Sequence, residues 1–89
     1  MRRGENGNGR ICVTPNPAEP GDTVTIIYTG DGEVAAQVDG AGDWEGVHTD
    51  PVTGHGTYQV PQGASGVTFS DRARPKPSEE YLEVDESKP

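Results

Sequence analysis

Apolar and polar residues take turns along the middle of this chain. Over residues 22–29, Val24, Ile26 and Tyr28 fall on one side, and Thr23, Thr25, Ile27 and Thr29 on the other. A period of two built from β-branched residues predicts a half-buried strand. Ile27 breaks the polar side, and so marks either a covered sheet edge or a contact with a partner. Ile11 and Val13 alternate with Cys12 and Thr14, which predicts a short first strand. Residues 33–38 set Val34, Ala36 and Val38 on one face, with the small Ala35 opposite. Residues 57–60 point Tyr58 and Val60 together, and Val67 with Phe69 and Leu82 with Val84 make two further pairs. No window of eleven residues keeps the three–four spacing of an amphipathic helix.

The breaks between these segments have their own chemistry. Pro15, Pro17 and Pro20 forbid both a helix and a central strand there. The Pro20-Gly21 pair predicts a type II turn feeding the second strand, because glycine tolerates the left-handed position. Gly30-Asp31-Gly32 predicts a tight turn between the second and third strands. Gly54, Gly56, Pro61, Gly63 and Gly66 punctuate the rest. The pattern predicts an all-β fold, a β-sandwich of six or seven short antiparallel strands. Its expected core is Ile11, Val13, Val24, Ile26, Tyr28, Val34, Ala36, Val38, Trp44, Tyr58, Val60, Val67, Phe69, Leu82 and Val84. The expected organisation is a flexible glycine-rich lead over residues 1–10, one domain over 11–85 and a frayed end over 86–89. Residues 72–79 read as a basic, proline-broken loop.

Composition sharpens this picture. Val, Ile, Leu and Phe number 14 of 89 residues, in the range where chains with a net charge of −8 are often disordered. The strict alternation is what argues for folding, around a small core of modest stability. Between Ile11 and Asp71 there is no Lys or Arg, whereas nine acids occur in that span. Such a surface repels phosphate backbones and anionic lipid, so neither nucleic acid nor membrane is an expected partner. Solubility or tolerance of salt is the plain reading of the charge, and a docking face is the sharper one. Cys12 is the single cysteine, so no internal disulfide is available. A reducing compartment or an oligomer fits that best. No apolar run reaches ten residues, which excludes a membrane helix or a secretory signal within the chain as written. A cytoplasmic site is compatible with that; an extracellular one implies a signal removed or replaced.

No group of residues makes a convincing catalytic site. His48 and His55 flank Asp50, and a hairpin over residues 51–54 brings them near each other. Zinc wants three or four ligands and Cys12 is remote, so exposed loop histidines are expected. Asp39, Asp43 and Glu45 in a glycine-rich loop, with Asp31 and Glu33 nearby, are the candidates for calcium, but the regular twelve-residue helix–loop–helix pattern is missing. Small modules lack the cleft that separates the pKa values of a carboxylate pair. Ser65, Ser70, Ser78 and Ser87 lie in no nucleophile-elbow sequence, and the glycines lack a phosphate loop's Lys-Ser/Thr ending. The expectation is a non-enzymatic chain without a cofactor. Trp44 either plugs one end of the sandwich or offers a platform for a sugar ring or a peptide. Ile27 and Tyr81 are the spare apolar residues for an interface.

Two resemblances follow from these motifs. Val13-Thr14-Pro15-Asn16-Pro17, then Pro20-Gly21-Asp22-Thr23-Val24-Thr25-Ile26, resembles the opening of bacterial and phage immunoglobulin-like domains. Gly56-Thr57-Tyr58-Gln59-Val60-Pro61 and Val67-Thr68-Phe69 are similar to their later strands. The likeness covers about residues 11–71 and implies a structural, adhesion or virion-surface module, a capsid or tail decoration, that meets a protein partner or its own copies. The chain also resembles small starch-binding modules in the order of residues 21–26, 42–44, 60–64 and 67–71. That likeness implies glucan binding through Trp44. Arg72-Ala73-Arg74-Pro75 departs from the sugar-contacting loop that such modules place near the end.

Overall fold

The computed structural model describes residues 9–30, 32–72 and 77–85. Seven strands occur among them: β1 (Ile11–Thr14), β2 (Thr23–Tyr28), β3 (Val34–Val38), β4 (Glu45–Val47), β5 (His55–Gln59), β6 (Gly66–Ser70) and β7 (Glu79–Glu83). They form two antiparallel sheets, ordered β1-β2-β5 and β4-β3-β6-β7. The sheets close on one shared core in a sandwich-like arrangement. Residues 1–8, most of the expected lead, lie outside the described residues, as do 86–89, Asp31 and 73–76 of the basic loop.

Alternation places the core. Val24, Ile26 and Tyr28 are buried while Thr23, Thr25 and Ile27 are exposed. Eleven of the fifteen expected core residues are buried, and Val38, Tyr58 and Val84 pack against them half-buried. Trp44 is the correction: it is half-buried and outside the core cluster. Val47, Ala18 and Ala64 fill the core instead. Val47 belongs to β4, a three-residue edge strand with only one buried side chain, too short to show a period.

The turns divide into two kinds. Gly21 has φ +88°, and the Asp22 amide donates to the Glu19 carbonyl at 3.0 Å, which is the type II turn expected of Pro20-Gly21. The short link between β2 and β3 does not make a hairpin, because β2 and β3 do not pair. It carries the chain from one sheet to the other. After β1 the chain touches the end of β7 in the other sheet before returning to pair as β2. The Ala18 amide donates to the Glu83 carbonyl at 2.9 Å and the Asp85 amide to the Ala18 carbonyl at 2.7 Å. Asn16 completes this seam: its Nδ2 donates to the Tyr81 carbonyl at 3.0 Å and its Oδ1 accepts from the Glu83 amide at 3.1 Å. The C-terminal half of the free β7 edge is therefore stitched to the segment that follows β1, which shields it from stray pairing.

A polar pin joins the sheets at the far end. The Tyr28 hydroxyl, at the end of β2, donates to Asp71 Oδ2 at 2.9 Å, just beyond β6. Asp71 Oδ1 accepts from the Ser78 amide at 2.9 Å, where the chain returns to β7. Asp71 is only 8% exposed, so its carboxylate depends on such donors. Asp71→Ala is expected to lower unfolding free energy by about 2–3 kcal/mol and Tyr28→Phe by about 1–2 kcal/mol. In urea titrations the double variant should lose less than the two single losses summed, since both remove one shared contact. Additive losses would show that the two groups act independently.

Candidate functional site

The outward half of β1-β2-β5 forms a continuous face. Pairing aligns Cys12 with Ile27 and Ile27 with His55, then Thr14 with Thr25 and Thr25 with Thr57, then Thr23 with Gln59. All eight of these side chains are exposed. None carries a formal charge at pH 7 with His neutral, in a chain with 15 acids. Threonine suits such a surface, because its β-branch fits the pleat and its hydroxyl can donate or accept. Ile27, at 37% exposure, stands in the outer row between Cys12 and His55. Arg10 reaches the rim, where its amide donates to Thr29 Oγ1 at 2.9 Å. Sequence reading singled out Ile27 alone. The signal for the rest was present in the polar half of each strand, which lacks Asp, Glu, Lys and Arg.

The other two candidate ligand residues do not join Ile27. Tyr81 lies on β7 beside the inward, fully buried Leu82, so it faces outward from the four-stranded sheet. Its hydroxyl donates to Asp39 Oδ2 at 2.5 Å. The neighbouring strand makes room for it: a Cβ on Gly66 would collide with the Tyr81 ring. The hydrogen bond to Asp39, then burial and the nearby charges of Asp39 and Glu83, hold the Tyr81 phenol above its ordinary pKa. Asp39 thus has a defined partner, and the described residues include no group of three or more His, Cys, Asp or Glu placed to hold a metal ion. Asp31 of the calcium candidates lies outside the described residues. Trp44 leads into β4, and the Arg72 guanidinium lies over its ring, 5.2 Å from the centroid. Arg72 takes a left-handed φ of 52° there, with its amide donating to Ser70 Oγ at 2.9 Å.

The histidine hairpin forms. The Asp50 amide donates to the His55 carbonyl at 2.9 Å and the Gly54 amide to the Asp50 carbonyl at 2.7 Å. Asp50 Oδ1 accepts from the Val52 and Thr53 amides at 2.7 and 3.1 Å. These backbone donors, Thr53 first, lower the Asp50 pKa against a small opposing effect of burial, and His48 and His55 add to the lowering. Both histidines are exposed.

A shallow cleft of about 400 Å³ lies along the side opposite the stitched one, lined by Gly21, Glu45, Gln62 and residues 58–61. Tyr58 faces inward there, edge-on to Phe69 with centroids 5.2 Å apart. Its hydroxyl is buried and has no hydrogen-bond partner. Burial, and then the charge of Glu45, push the Tyr58 phenol upward.

Two measurements follow from these tyrosines. Tyr58→Phe removes an unpaired buried hydroxyl and keeps the ring, so it should leave stability unchanged or raise it by up to about 1 kcal/mol in urea unfolding. A loss of stability would reveal a partner for that hydroxyl. In alkaline absorbance titrations Tyr81 should ionise above the ordinary tyrosine range, and Asp39→Asn should bring it down. Comparison with protein-family models, curated proteins and solved structures finds no match for this chain.

Proposed function

We propose that this chain is a non-catalytic structural or binding module that works through protein–protein contact. The observation that carries the reading is the outer face of β1-β2-β5, an uncharged, β-branched surface on an otherwise acidic chain. Depletion of charge with retained hydrogen-bonding capacity is what the core of a protein interface needs. The strand order supports an immunoglobulin-like arrangement: the chain changes sheet between β2 and β3, β4 and β5, and β5 and β6. With that resemblance the module belongs with accessory domains of a virion or cell surface, in capsid or tail decoration or in adhesion.

A second reading is glucan binding through Trp44. It is favoured by the partial exposure of a ring expected in the core. Arg72 weighs against it, because a sugar stacking on that ring face displaces a cation–π contact of about 0.5–1 kcal/mol. Trp44 is the only tryptophan, so its emission reports this site alone. Titration with soluble glucans is expected to leave the emission unchanged. A saturating shift that disappears in Trp44→Ala would move the function to carbohydrate binding.

A further inference from the structure

We infer that the bond after Arg72 is a processing site for a protease that cuts after basic residues, and that the product is a two-chain sandwich. The sequence isolates this bond. The chain holds seven Lys and Arg, and none lies between Ile11 and Asp71. Arg2, Arg3 and Arg10 precede β1, so a cut after any of them only removes residues ahead of the sandwich. Arg74, Lys76 and Lys88 are each followed by proline. Proline has no N–H, and its ring crowds the leaving nitrogen that a serine protease must protonate. Arg72, followed by Ala73, is the basic residue at which a cut divides the fold.

Structure then separates Arg10 from Arg72. A protease takes its substrate as an extended segment laid along its own cleft, so backbone already paired is closed to it. The Arg10 carbonyl accepts from the Thr29 amide at 3.2 Å, and the Arg10 amide donates to Thr29 Oγ1 at 2.9 Å. Ile11, across that bond, is buried and paired with Tyr28. Arg72 is exposed and outside any strand, with its left-handed φ of 52°. That conformation is unfavourable for a residue with a Cβ, so its backbone gains on swinging to the extended form a protease binds. Two contacts hold it in place: its amide on Ser70 Oγ, and its guanidinium over the Trp44 ring. The ring contact is weak enough to yield the side chain to an acidic specificity pocket.

Hydrolysis adds water across the bond: the Arg72 carbonyl carbon gains the hydroxyl and the Ala73 nitrogen gains the hydrogen. The sheets stay joined, because contacts on the two sides of the cut run across it. The Asp71 amide donates to the Ser78 carbonyl at 3.2 Å, and the Ser78 amide donates to Asp71 Oδ1 at 2.9 Å. β7 keeps its five residue pairs with β6, and Leu82 is fully buried between the sheets. Asn16 and Ala18 hold the free edge of β7. Folding of the cut protein thereby becomes an association of two chains, and its stability depends on concentration.

Limited digestion with trypsin, sampled over time and read by mass spectrometry, tests the site. The first internal cut is expected after Arg72, giving two fragments whose masses sum to the intact chain plus one water. The fragments should co-elute in gel filtration where the uncut protein does, and separate in urea. The urea midpoint of the cut protein should rise with its concentration. Trp44→Ala releases the guanidinium and should speed the cut about two- to fivefold. Arg72→Gln should abolish it, with circular dichroism showing the strands intact. A cut after Arg10 that precedes the one after Arg72 overturns the site, as does a folded chain that stays whole while the urea-unfolded chain is digested. Fragments that part in native buffer overturn the two-chain product. The outer face of β1-β2-β5 plays no part in this experiment, so the protein-contact reading stands or falls separately.

Discussion

The hydrogen bond from Tyr28 to Asp71 fixes how the two sheets meet, and much of the local sequence serves it. Tyr28 ends β2 in one sheet and Asp71 follows β6 in the other, so the bond spans the interior at the end where the chain enters. A buried carboxylate is stable only with donors around it, and Asp71 draws a second from the Ser78 amide. The backbone around Tyr28 must then approach closely. The Tyr28 amide donates to the Gly54 carbonyl at 2.8 Å, and Gly54 sits at φ +78° where a Cβ would strike the Tyr28 carbonyl. Gly30 has no room for a Cβ beside the phenol ring, and the Gly32 amide donates to the Tyr28 hydroxyl at 3.3 Å. Those glycines read as turn formers in the sequence. In the fold, Gly30 and Gly54 also clear space for one tyrosine.

The opposite end is held by backbone in place of a buried acid. Ala18 is 2% exposed and lies against the end of β7, where its amide donates to the Glu83 carbonyl and its carbonyl accepts from the Asp85 amide. Its methyl joins the core cluster, a buried alanine inside a run of prolines. A core of small aliphatic residues leaves little apolar area per residue. The polar pin at one end and the alanine seam at the other supply alignment that burial alone does not.

Legibility followed the range of each interaction. Strand identity is local, so β1, β2, β3, β5, β6 and β7 could be read from alternation. The Pro20-Gly21 turn could be read because its geometry is set by the two residues themselves. Sheet membership is not local. The same glycines that make hairpins also carried the chain between sheets after β2, and nothing within residues 30–32 tells the two apart. β4 offered one buried valine beside Gly46 and an exposed Glu45, which is no period at all. Residue type alone leaves Trp44 either a plug in the core or a platform, and its Arg72 neighbour is 28 positions away. Tyr81 looked spare for the same reason, since Asp39 is 42 positions away. The uncharged face was half-legible: each strand shows its polar side, but only the register brings Thr14, Thr25 and Thr57 into one row.

Register also turns a bulk property into a direction. A charge of −8 spread evenly would only keep molecules apart. Here the outward positions of β7 include Glu79 and Glu83, and Asp39 lies beside Tyr81 on the same side of the four-stranded sheet. The outward positions of β1, β2 and β5 carry no acid. The two outer faces of the sandwich therefore differ in charge. Strand alternation makes this division possible, because a residue's parity decides whether it faces core or solvent, and strand pairing decides which outer face it joins. Substituting one outward threonine by aspartate would change neither the core nor the turns. It would erase the distinction between the faces, so the face is written in the choice of polar residues and the fold in the apolar ones.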